Sequence, residues 1–329
     1  MASVILAKLL VTLKQLETYQ VAIYLATVPL AIFIGLSFPS VGQPLEWLVT
    51  PILAVLLYGI FSQIPFLELR KAFKSRRFII ALMAANFIFV PIIVWVLAKY
   101  FISEPILQLG VMMVLLAPCI DYVIVFTHLG KGNAILMLSA TPVLLIAQIL
   151  LLPVYLEAFL GSHASGLVNI DSFIDTFIFL IFIPMTLALI FQFLAQGKDN
   201  RFRLMLNISA WLPVPFMSAT LFVVISSQIY TISYHLDAIQ QVIPVYLAYM
   251  AASLVLGWML RWLFKLNKEA ARTLTFSIAT RNSLVVLPLA FAIPGSAGKL
   301  VALVIVTQTL VELIGELFLI RIIPLMISR

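Results

Sequence analysis

One cysteine, Cys119, stands in 329 residues. That excludes an internal disulfide and any multi-cysteine metal centre. Charge is scarce as well. Only 10% of the residues are Asp, Glu, Lys or Arg, against about 25% in a soluble domain. Such a chain is not an ordinary cytoplasmic enzyme, a disordered segment or a nucleic-acid-binding module. No His-Glu-x-x-His and no Gly-x-Ser-x-Gly occurs, so neither a zinc-protease helix nor a nucleophile elbow is written here. No Gly-Asp pair of the intramembrane aspartyl-protease kind is visible either. An enzyme is not expected, nor is a cofactor. Residues 1–16 lack the small-residue cleavage site of a removable signal and read as an interfacial N-terminal helix carrying Lys8 and Lys14.

What is present is apolar. Hydrophobic residues make up 64% of the chain, and the mean hydropathy is +1.17. The fold class that follows is an all-α polytopic membrane protein. A spanning helix needs about 20 mostly apolar residues. Ten such stretches can be read, at approximately 18–38, 45–65, 77–101, 105–129, 134–160, 172–195, 204–230, 239–264, 271–293 and 298–326. With the N-terminus inside, 17 of the 20 Lys and Arg fall in cytoplasmic segments, all but Lys99, Lys299 and Arg281. This asymmetry places both termini in the cytoplasm. It also explains the net charge of +7 without a polyanion partner. The expected location is a bacterial inner membrane, with lipid as the surrounding partner.

Spans one to five and six to ten run in parallel, offset by about 160 residues. Five spans per half is an odd number, so the second half enters the membrane from the opposite side. The expected organisation is two inverted five-helix repeats, 17–160 and 161–329, the architecture of many secondary transporters. Two spans are interrupted. In the fourth, Pro118 removes a backbone hydrogen bond, and Asp121 lies near mid-membrane, too deep to snorkel. In the ninth, Thr280, Arg281, Asn282 and Ser283 are consecutive polar residues. They point all round a helix and cannot all avoid lipid unless it is unwound or enclosed. Half-helix ends carry partial charges that suit a small polar solute or ion. The two breaks are expected to meet at the midplane. Arg281 needs a counter-charge there. Asp121 is the first candidate and Glu312 the second; the alternative is an unpaired Arg281 that attracts an anionic substrate.

Gln308, Glu312 and Glu316 share one face of the last span at i, i+4 and i+8. Two carboxyls this close in low dielectric cannot both be ionised cheaply. Such a pair suits a carrier of coupling protons, with Glu312 foremost; Glu316 alternatively pairs with Arg321 at the inner interface. Cys119 adjoins the Pro118 break. A lone cysteine is either small apolar filler or, as a thiolate, a soft metalloid ligand. His128, His163 and His235 are scattered and carry no expected role.

Taken together, these residues resemble the bile acid/arsenite transporter superfamily of ten-span carriers. Pro118-Cys119-Ile120-Asp121-Tyr122 through Phe126, followed by Leu129-Gly130-Lys131-Gly132-Asn133, is similar to the fourth span of arsenite-efflux permeases. Leu310-Val311-Glu312 is similar to the last span of the same permeases, and Arg281-Asn282-Ser283 to the Gln-Asn-Ser run of sodium–bile-acid symporters. The resemblance implies a core of spans three to five and eight to ten, in which the discontinuous fourth and ninth spans cross at the midplane. Spans one, two, six and seven form a panel against which the core moves. It implies a metalloid or small-molecule substrate bound by Cys119, Asp121, Thr280, Arg281, Asn282 and Ser283. Cys119 is then the metalloid ligand and Glu312, Glu316 and Gln308 the ion-coupling set. Arsenite exported in exchange for protons is the leading expectation and a small organic anion the alternative. Three departures stand out. Proline precedes Cys119 where those permeases have arginine. The acid expected four positions before the Gln-Asn-Ser run falls at Ser277. Glutamine is replaced by Arg281. A fixed guanidinium repels a cation, so independence of sodium is expected.

Overall fold

The computed structural model describes residues 2–66, 75–160, 175–197, 200–234 and 236–328. Arg70, Lys71, Lys74, His163, Lys198, His235 and Arg329, and the side chains of Lys8 and Lys14, lie outside the described residues. Thirteen helices of seven residues or more are distinguished among the described residues: α1 (Ala2–Ser37), α2 (Val49–Gln63), α3 (Arg76–Phe101), α4 (Pro105–Leu115), α5 (Val123–Leu129), α6 (Ala134–Leu160) and α7 (Asp175–Ala195) come first. They are followed by α8 (Asn200–Ser209), α9 (Pro213–Tyr234), α10 (Leu236–Leu263), α11 (Lys268–Ala279), α12 (Ser283–Phe291) and α13 (Gly295–Met326). One isolated β-bridge is the sole extended pairing among the described residues.

Helices dominate because a chain this apolar must satisfy its backbone within each segment once water is gone. Among the described residues, six helical stretches are long and apolar enough to cross a membrane, and Ala22–Ser37, α2 and α4 are shorter apolar helices. Their outer faces are apolar too. On α3, Ile80, Ile88 and Ile92 are exposed while Val90, Val94 and Ala98 are buried, the all-round hydrophobicity of a lipid-embedded helix. The residues expected as an interfacial helix over 1–16 run on without a break into the helix that follows. Ala2–Ser37 is one continuous helix, because neither proline nor glycine interrupts it before Pro29.

The chain folds as two compact units. One comprises residues 1–63 and 175–234, the other 64–174 and 235–329, so each draws on both halves of the sequence. In the first unit α9 packs on α1 and α2, and α7 on α2 and α8. In the second, α4 packs on α13, α10 on α11 and α13, and α12 on α13. The two interrupted spans and the acidic face of α13 all belong to this second unit.

Two local features shape the second unit. α3 widens into a π-turn at Ala85–Phe89, just before Pro91. Pro91 cannot donate to the carbonyl of Phe87, and the Tyr155 hydroxyl donates to it instead at 2.6 Å. Asn86 is buried within that turn. The loop Gly130-Lys131-Gly132-Asn133 lies against α11. A Cβ on Gly132 would meet Thr127 Cγ2 at 2.8 Å and Thr273 Oγ1 at 3.0 Å, so only glycine permits the approach. The Asn133 side chain then caps α6, accepting from Leu136 N at 2.9 Å.

Candidate functional site at two broken helices

α4 ends at Leu115 and α5 begins at Val123. α11 ends at Ala279 and α12 begins at Ser283. Breaking a helix orphans backbone donors and acceptors that are costly to leave unpaired in an apolar interior. Here the two breaks satisfy each other. Asn282 N donates to Ala117 O at 2.7 Å and Cys119 N to Thr280 O at 3.2 Å. The two bonds flank an antiparallel pair, Pro118 opposite Arg281. At such a non-hydrogen-bonded position the ladder asks neither residue for its N–H. Proline is therefore tolerated at 118, and Arg281 N is free to donate to Glu312 Oε2 at 2.8 Å.

The Arg281 side chain is 0% exposed. The expected pairing with Asp121 is not what holds it. Nη1 donates to Leu115 O at 3.3 Å and Nη2 to Asn86 Oδ1 at 2.8 Å, while Nη2 also reaches the carbonyls of Ser277 and Ile278. The Tyr249 ring lies 5.6 Å from Cζ, within cation–π range. The reason lies in the helix ends. Leu115 is the last residue of α4, and Ser277 and Ile278 belong to the last turn of α11. Each helix C-terminus carries about half a negative charge. Two of them converge on one guanidinium and offset part of its charge, while Glu312, the second candidate, meets Arg281 through the backbone N–H rather than the side chain.

Glu312 lies on α13 and is buried. Its Oε1 accepts from the Tyr122 hydroxyl at 2.7 Å; its Oε2 accepts from Arg281 N and from Gln308 Nε2. One turn further, Glu316 Oε1 lies 2.8 Å from Thr280 Oγ1. Glu316 thus engages the second break rather than Arg321. In the first break, Asp121 Oδ1 accepts from Tyr122 N at 2.7 Å and from the Cys119 thiol at 2.8 Å. Cys119 is 0% exposed. Asn282 caps α12 through Oδ1, accepting from Val285 N at 3.2 Å.

Several polar atoms of this cluster are buried without a hydrogen-bond partner among the described residues: Arg281 Nε, Asn282 Nδ2, Ser283 Oγ, Gln308 Oε1 and Glu316 Oε2. An unpaired buried polar atom costs about 1–3 kcal/mol; Thr127 Oγ1 and both side-chain polar atoms of Gln148 are unpaired as well. No three His, Cys, Asp or Glu side chains gather into a metal cage among the described residues. Cys119 is therefore a single soft donor. Asn86, Tyr122, Ser277 and Tyr249 join the cluster, although sequence reasoning does not single them out as site residues. A signal exists for three of them. Asn86 is the lone amide in the apolar run of α3, Tyr122 adjoins Asp121, and Ser277 stands one helical turn before Arg281, where the family's acid would fall. Nothing in the local sequence marks Tyr249 as a neighbour of Arg281.

Residues 50–235 match a family model described as the Sodium Bile acid symporter family. A comparison with curated proteins found no match. The family match takes in the Pro118 break and ends before the Arg281 break. It spans more than half of a chain whose long apolar helices mark an integral membrane protein: this chain belongs to the sodium bile acid symporter family, a family of transporters.

Proposed function

We propose that this chain is a secondary active transporter that exports arsenite or a related metalloid in exchange for protons. The observation that carries the reading is the Cys119 thiol, 2.8 Å from Asp121 Oδ1 within the first break. Arsenite at neutral pH is a small neutral trihydroxide. The Cys119 sulfur forms a bond to arsenic, one As–OH bond breaks, and the thiol proton leaves with that hydroxyl as water. Asp121 Oδ1 is placed to relay this proton. Asn282 Nδ2, Ser283 Oγ and Gln308 Oε1, buried and unpaired among the described residues, are the hydrogen-bonding groups this reading assigns to the remaining hydroxyls. A single sulfur ligand binds reversibly, as a site that must also release requires.

Coupling protons fall to Glu312 and Glu316. Thr280 carries one hydroxyl proton and has two acceptors at 2.8 Å, Phe276 O and Glu316 Oε1. A proton on Glu316 completes both contacts, which supports a proton-carrying role for the acidic face. The organic-anion reading loses support because the Arg281 guanidinium is fully buried and donates to oxygens of the protein itself.

In this reading α4–α5 and α11–α12 are each one interrupted span. With α1, α2, α3, α6, α7, α8–α9, α10 and α13 they make ten, arranged as two inverted repeats with both termini cytoplasmic, in a bacterial inner membrane. Alternating access exposes the breaks to one side at a time. Uptake into everted vesicles tests the proposal, with arsenite, antimonite and a panel of organic anions, native protein against Cys119→Ser. Arsenite uptake that needs Cys119 supports it. Arsenite uptake indifferent to the substitution, together with organic-anion uptake, removes it.

A further inference from the structure

The family's name implies sodium, and the backbone provides a place of the kind sodium takes. Carbonyls of unwound segments and half-helix C-termini coordinate monovalent cations in transporters. Inside the second unit, Ser277 O, Ile278 O and Asn86 Oδ1 surround Nη2 of Arg281, and Leu115 O faces the adjacent Nη1 at 3.3 Å, so oxygens from α4, α11 and α3 gather around one guanidinium. That space is filled by the guanidinium of Arg281, fully buried. Sodium does not fit there. A free cation would meet a fixed positive charge at contact distance, and all four oxygens are already engaged.

We infer that this oxygen cage is a monovalent-cation site that the protein keeps filled with its own Arg281, and that removing the side chain opens it to a free alkali cation. Three features support this. The four oxygens come from three separate segments, so the cage is a tertiary construction rather than a helix end alone. Three of them are backbone carbonyls at helix C-termini, which stay where they are whatever side chain stands at 281. The fourth, Asn86 Oδ1, is held in orientation because Asn86 Nδ2 donates to Leu82 O and Ser277 Oγ, each at 3.1 Å. The charge a mobile ion would bring is instead tethered. It cannot leave during a transport cycle, so the cage contributes neutralisation but no ion gradient. This holds whatever substrate the transporter carries.

The test uses the purified full-length protein in detergent. Its thermal midpoint is followed across a sodium chloride titration, with choline chloride holding ionic strength constant. A ligand bound only by the folded state raises the midpoint saturably. The expected result is a flat response for the native protein and for Arg281→Lys, which supplies its own ammonium. Arg281→Ala should show a saturable rise with sodium. A saturable sodium rise in the native protein overturns the inference. So does a monodisperse, cooperatively melting Arg281→Ala protein that ignores both sodium and potassium. If the alanine variant does not fold, Arg281→Gln takes its place under the same criteria. If neither folds, the native protein decides: a flat response supports the tethered cation and a saturable one removes it.

Discussion

Tyr122 and Glu312 stand 190 positions apart in the sequence and meet at 2.7 Å, phenol oxygen to Oε1. The contact ties the first break to α13, while Arg281 N ties the second break to the same carboxylate at 2.8 Å. One side chain therefore senses both interruptions. A carboxylate that gains or loses a proton changes its bonds to both at once, which gives protonation a route to the geometry of the breaks.

Glu312→Gln tests that route. The amide keeps the size, but its NH2 must face either the Tyr122 hydroxyl or the Arg281 N–H, both donors to the native carboxylate. Uptake driven by a pH gradient in everted vesicles should fall by about tenfold or more, the scale expected when a proton-transfer group is removed. The protein should still insert and purify. Undiminished pH-driven uptake would remove Glu312 from coupling.

Cys119→Ser tests the proposed soft ligand. The serine hydroxyl can still donate to Asp121, so the fold of the break is kept and the thermal midpoint should hardly move. Arsenite uptake should fall by about tenfold or more, because oxygen replaces a soft donor. Equal uptake by the two proteins would show that Cys119 serves packing alone.

Asn86→Ala removes the one side-chain oxygen of the Arg281 cage. A hydrogen bond to a charged group contributes about 1.5–3 kcal/mol, and here the donor cannot reach water. The thermal midpoint of the purified protein should drop by several degrees, and Asn86→Asp should recover it by returning the acceptor. An alanine variant as stable as the native protein would mean that the carbonyls alone hold the guanidinium.

Gly110 lets α4 and α13 approach closely, since a Cβ there would meet Val304 Cγ1 at 2.8 Å. Gly110→Val should destabilise by about 1–3 kcal/mol through overpacking, read as a lower midpoint and reduced yield. Gly110→Ala should sit between. A valine variant of native stability would show that the two helices separate freely.

Transport in sodium-free vesicles should equal transport with sodium present, at matched ionic strength. This follows from Arg281 filling the cage. If sodium alone restores activity, a coupling cation binds elsewhere in the chain.

Membrane character is legible in composition, because apolar length and absent charge leave a chain no soluble alternative. The two interruptions are legible as well. A proline three residues before an aspartate, and four consecutive polar residues in an apolar run, break the all-round apolar surface of a continuous lipid-embedded helix. What local sequence cannot carry is the choice of partner. Arg281 lies 160 positions from Asp121, the acid expected to answer its charge, yet no local rule weighs that acid against two helix ends and an asparagine on a third segment. Tertiary structure made that decision. The electrostatics of a buried guanidinium depend on which carbonyls point at it, and those directions exist only once α3, α4 and α11 have packed.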